Sequence, residues 1–198
     1  MCQFSYSTSA LCFLFFFFFF LSNPVDKIYA LDGYSTIDIV NRSCKKCAEK
    51  SKSFIYDFCQ TSLQVIPASH VTNLQGIAVI AMELAIENAT TTVSNIKSLL
   101  VTGSFNPDTL ACLEDCLKLY SDALVTLVDG VAAFLTGHYG TANVKIKTVM
   151  EAPTSCEDGF KKKRGVVSPL TTENFNFFHL SDIALCIIRW LSLVLPQL

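Results

Sequence analysis

From Leu110 to Phe134 the chain places Leu110, Leu113, Leu117, Tyr120, Leu124, Leu127, Val131 and Phe134 at alternating spacings of three and four. This period keeps one apolar stripe on one side of an α-helix for several turns, and it predicts a long helix lying along a bundle seam. Asn106 followed by Pro107 marks its start, because Asn caps a helix and Pro suits the first helical position. Gly137 marks its end. Upstream, Leu74, Ile77, Ala81 and Leu84 predict a helix from about Val71 to Leu100, weakened at Thr90 to Thr92 and stopped at Gly103.

Downstream, Ala142, Ile146 and Val149 begin another helical face, with a break expected at Pro153 and a restart capped by Ser155 with Asp158. Gly165 and Pro169 punctuate the next connection. Thr171 then caps a last helix running to about Leu195, with Leu180, Ile183, Ile187, Trp190 and Val194 on its seam. Between Ser35 and Ile66, short apolar clusters (Ile37, Ile39, Val40, then Phe54, Ile55, Phe58, Leu63) flank the polar Ser51-Lys52-Ser53. Two short helices folded on each other and ended by Pro67 account for that pattern. The expected fold is all-α: four long helices in an up-down-up-down bundle, preceded by a helical hairpin.

The N-terminus follows a different pattern. Leu11 to Leu21 reads LCFLFFFFFFL, too short to span a bilayer but of the length of a secretory signal core. Residues 1–30 are therefore read as a signal peptide cleaved after Ala30. This leaves 31–198 as one domain, with 31–66 the hairpin and 67–198 the bundle. Met1 to Ala10 lacks the usual basic residues. The expected location is extracellular, in the apoplast or cell wall, with no membrane association after cleavage; Arg189 interrupts the apolar tail from Ile183 to Leu195. The formal net charge of -2 gives no basic footprint for nucleic acid. Two sequons, at Asn41 and Asn88, suit N-glycosylation on that route.

Seven cysteines follow the leader, and an oxidising compartment lets disulfides persist. Cys116 and Cys156 lie 20 residues either side of position 136, beside the Gly137 reversal. Equal helical arms of about 30 Å would bring them to one level. Cys44 and Cys59 are centred similarly near Lys52. Cys112, one turn from Cys116, competes for Cys156. Cys44-x-x-Cys47 has neither the βαβ setting of a redox motif nor a second ligand pair for zinc, so no metal site is expected. Cys47, Cys112 and Cys186 are read as buried small hydrophobes.

His70, His138 and His179 lie far apart and lack a nucleophile or metal-ligand frame. Lys161-Lys162-Lys163-Arg164 ends a helix, where positive charge complements the dipole. The nearly all-round apolar last helix suits a central core helix, or the wall of a cavity for an apolar ligand.

Several runs then converge. Tyr56-Asp57-Phe58-Cys59, Ser62-Leu63, Cys116 with Leu119-Tyr120 and Asp122-Ala123, Cys156-Glu157-Asp158-Gly159-Phe160-Lys161 and Ser168-Pro169-Leu170-Thr171 occur in order. With them the chain resembles the plant invertase and pectin methylesterase inhibitor family from about Ile37 to Leu195. Leu74-Gln75-Gly76 and Ala142-Asn143-Val144-Lys145 are most similar to its pollen-allergen branch. The resemblance implies a hairpin and four-helix bundle stapled by Cys44 with Cys59 and Cys116 with Cys156. It implies no catalysis and no cofactor. It also implies a monomer or weak homodimer that docks on a secreted pectin methylesterase or invertase and blocks the substrate cleft. The alternative is a non-inhibitory interaction or apolar-ligand carrier protein.

Well-defined invertase inhibitors of that family carry Pro-Lys-Phe in the turn between the second and third bundle helices. Here the matching residues are Tyr139-Gly140-Thr141, so the lysine contact does not carry over. His138, Tyr139, Gly140 and Thr141 are the expected target-contact turn. His138 can take up charge in an acidic medium, since free imidazole titrates near 6.5.

Overall fold

The computed structural model describes residues 37–194, with side chains from residue 39 onward. The predicted leader lies outside the described residues. Two short helices, α1 (Ile37–Lys50) and α2 (Tyr56–Gln64), are joined through the Ser51 to Ile55 connection. They bury Val40, Cys44, Phe54, Cys59 and Leu63. Pro67 opens a single 3-10 turn, Pro67–His70, tied back by His70 Nε2 at 2.8 Å from the Gln64 carbonyl.

The bundle follows as α3 (Leu74–Thr102), α4 (Pro107–Leu135), the pair α5 (Tyr139–Val149) and α6 (Glu151–Lys161), and α7 (Thr171–Val194). Asn73 caps α3 by accepting the Gly76 N–H at 3.0 Å, and Asn106 caps α4 by accepting the Thr109 N–H at 2.8 Å. The threonines do not interrupt α3: Thr92 is buried and its hydroxyl donates to the Asn88 carbonyl at 2.8 Å. On α4, Leu113, Tyr120, Leu127 and Phe134 are fully inside, one every seven residues. Leu117, Leu124 and Val131 flank them against the same core. Gly137 adopts a positive φ of 80°, a conformation that L side chains resist, and so turns the chain between α4 and α5.

Three local expectations require correction. The break after Val149 falls at Met150 rather than Pro153. Pro153 lacks the N–H that would bond the Val149 carbonyl and its ring crowds that carbonyl, so the distortion appears a turn before the proline. Ser155 and Asp158 consequently sit inside α6 and start nothing. Thr171 is the first residue within α7 rather than its cap. The helix opens with the Asn174 N–H donating to the Leu170 carbonyl at 2.8 Å.

α7 is the central helix, packed against α3, α5, α6 and the hairpin. It buries Phe177, Leu180, Ile183, Ala184, Ile187, Ile188 and Leu191. Trp190 and Val194 leave this seam: Trp190 carries Lys46 Nζ 3.4 Å from its ring centroid, and Val194 is exposed. By length and composition α3 and α7 pass for membrane spans, but about half of each apolar window is inside the bundle, 44% and 50%.

Three disulfides join these elements. Cys44 bonds Cys59 and Cys116 bonds Cys156, while Cys47 bonds Cys186 with Cα atoms 5.9 Å apart. Cys47 and Cys186 are therefore not the free small hydrophobes expected of them. Cys47 lies one turn beyond Cys44, on the side of α1 that meets α7. A bond across 139 residues has no local chain reversal to centre on, so spacing alone could not suggest it. Cys112 retains its thiol, buried.

Candidate functional site

The turn after α4 is built inward as much as outward. Thr136 closes the helix by donating its hydroxyl to the Ala132 carbonyl at 2.9 Å, and its oxygen lies 3.0 Å from His138 Nδ1. Tyr139 is buried, its ring edge-on to Phe134 at 5.3 Å. Its hydroxyl accepts from Gln75 Nε2 at 3.0 Å, linking the starts of α3 and α5. Tyr139, Gly140 and Thr141 form the first turn of α5. Of the four expected contact residues, His138, Gly140 and Thr141 face solvent.

Directly before this turn, Val125, Val128, Ala132 and Leu135 form an exposed apolar stripe on α4, with the valines and Leu135 54% to 67% exposed. Successive members are three or four residues apart, so the stripe occupies one face beside the buried seam. Sequence reasoning missed it because attention to the strongest period hides a second, shorter one. On the neighbouring side, α4 approaches α5 closely at Gly130. A Cβ there would meet Ile146 Cδ1 at 2.9 Å, and Lys145 pairs with Asp129 at 3.0 Å.

A partly buried polar network locks α4, α6 and α7 together. The Tyr120 hydroxyl donates to Asn174 Oδ1 at 2.8 Å, and Asn174 Nδ2 donates to Glu157 Oε2 at 2.9 Å. The Thr171 hydroxyl donates to the same carboxylate at 3.2 Å. Burial, with Glu173 and Glu157 nearby, pushes the Tyr120 phenol well above its ordinary range. The Cys156 to Phe160 run thus holds three structural jobs: Cys156 in a disulfide, Glu157 in this network and Phe160 in the core.

In the basic run, Lys163 pairs with Asp108 at 2.9 Å and joins the end of α6 to the start of α4; Lys161 stands 3.9 Å from Asp158. Lys162 and Arg164 are exposed. Asn41 and Asn88 both lie on helices and are half-buried. Asn41 accepts a long bond from the Tyr56 hydroxyl at 3.3 Å, and Ser43 of its sequon is buried. His179 packs among Phe58, Phe175 and Phe178. No group of His, Cys, Asp and Glu among the described residues suits a metal ion.

Fold and surface together define a disulfide-braced helical bundle with a hairpin extension and a presented apolar face. Two solved structures of pectin methylesterase inhibitors from Arabidopsis share this fold. One is a mutant form, with TM-score 0.64, 23% identity and 75% of this chain against 95% of that one. The other has TM-score 0.56, 24% identity and 75% against 94%. A protein named "Putative invertase inhibitor" from Platanus acerifolia is 38% identical over 82% of this chain and 90% of its own length. Its counterpart from Platanus orientalis is 39% identical, over 78% and 91%. Pectinesterase inhibitor 12 of Arabidopsis thaliana is 29% identical, over 75% and 85%.

The family model described as plant invertase/pectin methylesterase inhibitor matches residues 38–187. The chain belongs to that family, which is one of enzyme inhibitors rather than of enzymes.

Proposed function

We propose that this chain is a secreted inhibitor that docks on a plant cell-wall carbohydrate enzyme, a pectin methylesterase or an invertase, and covers its substrate cleft. Residues 1–30 direct it to the secretory route and 31–198 act. Family membership supports the inhibitory role. The observation that carries the mode of action is the exposed Val125, Val128, Ala132 and Leu135 stripe ending at the His138 turn. An apolar stripe left on a well-packed bundle is the kind of surface a protein partner covers.

The turn favours docking by a helix face over insertion of a side chain. Tyr139 is held inward by Phe134 and Gln75, and Gly140 and Thr141 have little to insert. Because Tyr139-Gly140-Thr141 stands where well-defined invertase inhibitors carry Pro-Lys-Phe, pectin methylesterase is the preferred target, although the two Platanus relatives are named for invertase. The test is titration of purified protein into both activities at acidic pH. Inhibition of the methylesterase, weakened at least tenfold by Val128→Asp, is the expected result. Equal inhibition by wild type and variant would remove the stripe from the account.

A further inference from the structure

The α6–α7 face carries a trough that takes no part in the inhibitory reading. One stretch, about 430 Å³, runs past Pro153, Thr154, Glu157, Phe175, Phe178 and His179. A second, about 490 Å³, lies between the α5–α6 junction, α7 and the hairpin turn, and carries Lys147, Glu151, Asp182 and Arg189. Thr154 and Phe178 line both stretches. Each has the size of a small-ligand site. Both are open clefts on the surface, so they do not make the apolar core cavity that a carrier of buried ligands needs.

Three features of the trough bear on what it holds. Its rings are braced: Phe175, 44% exposed, meets Phe58 edge-on at 5.5 Å and His179 at 4.4 Å, while Phe178 meets His179 at 5.2 Å. Asp182 lines the second stretch, with one carboxylate oxygen buried beneath the surface and without a hydrogen-bond partner among the described residues. Lys147, Glu151 and Arg189 line the same stretch and take part in none of the ion pairs among the described residues.

A ligand suited to this lining presents an apolar face to Phe178, donors to Asp182 and Glu151, and acceptors to Lys147 and Arg189. An amine supplies only donors and a carboxylate only acceptors. A ring bearing several hydroxyls supplies both, because each hydroxyl donates and accepts. With cations and carboxylates mixed along the trough, net charge on the ligand gains one set and offends the other. We propose that the trough binds a short neutral saccharide, one sugar ring against Phe178 and its hydroxyls on Asp182, Lys147 and Arg189. The proposal stands apart from the α4 stripe and from the identity of any inhibited enzyme.

The test is a titration of the isotope-labelled mature protein, followed by amide NMR, with a neutral galactose tetramer and a galacturonate tetramer of the same linkage. The two differ only at C6. Saturable shifts confined to residues 51–53, the last turn of α5 with Met150, α6 and α7, stronger for the neutral sugar and weakened at least tenfold by Phe178→Ala and by Asp182→Asn, support the site. Arg189→Gln, at an exposed position, serves as a third variant should Phe178→Ala fail to fold. Absence of saturable shifts with either sugar, shifts elsewhere, tighter binding of the galacturonate, or unchanged affinity in the folded variants would each overturn the proposal.

Discussion

Removing the Cys47–Cys186 bond by paired Cys→Ala substitution should destabilise the protein more than removing either of the other two disulfides. In the chain-entropy description a cross-link stabilises by restricting the unfolded chain, and the effect grows with the loop it closes. The sequence separations are 15 for Cys44–Cys59, 40 for Cys116–Cys156 and 139 for Cys47–Cys186. Taken alone they correspond to about 3, about 4 and about 5 kcal/mol. The bridges are not independent, however, because Cys116–Cys156 short-circuits 40 of the 139 residues. The effective long loop is then about 100 residues, still worth about 4.7 kcal/mol. This bond is also the covalent tie between the hairpin and α7. The assay is urea unfolding of wild type and the three paired variants under non-reducing conditions, with peptide mapping to verify the links. Loss of less than about 1 kcal/mol on removing Cys47–Cys186, or a mapped pairing of Cys112 with Cys156, would refute the reasoning.

Other outcomes follow from single sites. Tyr120→Phe keeps the ring beside Phe177, 5.2 Å away, but strips the donor from Asn174 Oδ1. A loss of about 1–3 kcal/mol in urea unfolding is expected, and a near-zero loss would mean the network is not closed as described. Burial lowers His179 from its ordinary 6.5, so the native state binds fewer protons than the unfolded chain below that pH. Stability should fall as pH drops through the window beneath 6.5, and His179→Gln should flatten the fall. Burial raises Asp182 above its ordinary 3.8, with Arg189 opposing. That stability is present below 3.8 and lost as pH rises through the folded value, so Asp182→Asn should stabilise the neutral-pH protein. An unchanged pH–stability profile in either variant would contradict the assignment.

Periodicity carried the bundle. The buried α4 seam, the Asn106 cap and the Gly137 turn are local signals, and each formed where the residues indicated. The Met150 break was shifted because a proline perturbs the preceding turn, so its position in sequence is not that of the break. The Asn73 cap was hidden beneath a helix start set three residues early. Cys47 and Cys186 were illegible for a different reason: they are adjacent only after α1 lies against α7, and nothing near either cysteine encodes that tertiary contact. Tyr139 illustrates the same limit at the turn, where a polar-looking tripeptide turns its largest side chain into the core through Phe134 and Gln75. The exposed face of α4 was readable in principle. Val125, Val128, Ala132 and Leu135 form a second apolar run offset from the first, and an apolar residue off the seam signals either extra core or a presented surface.

The inhibitory role rests most directly on one titration: the purified protein, with its three disulfides verified, added in increasing amounts to pectin methylesterase and to invertase at acidic pH. Loss of methylesterase activity that saturates near one inhibitor per enzyme, and that Val128→Asp weakens at least tenfold while leaving the fold intact, is the predicted result. Full activity of both enzymes in the presence of excess folded protein would contradict it.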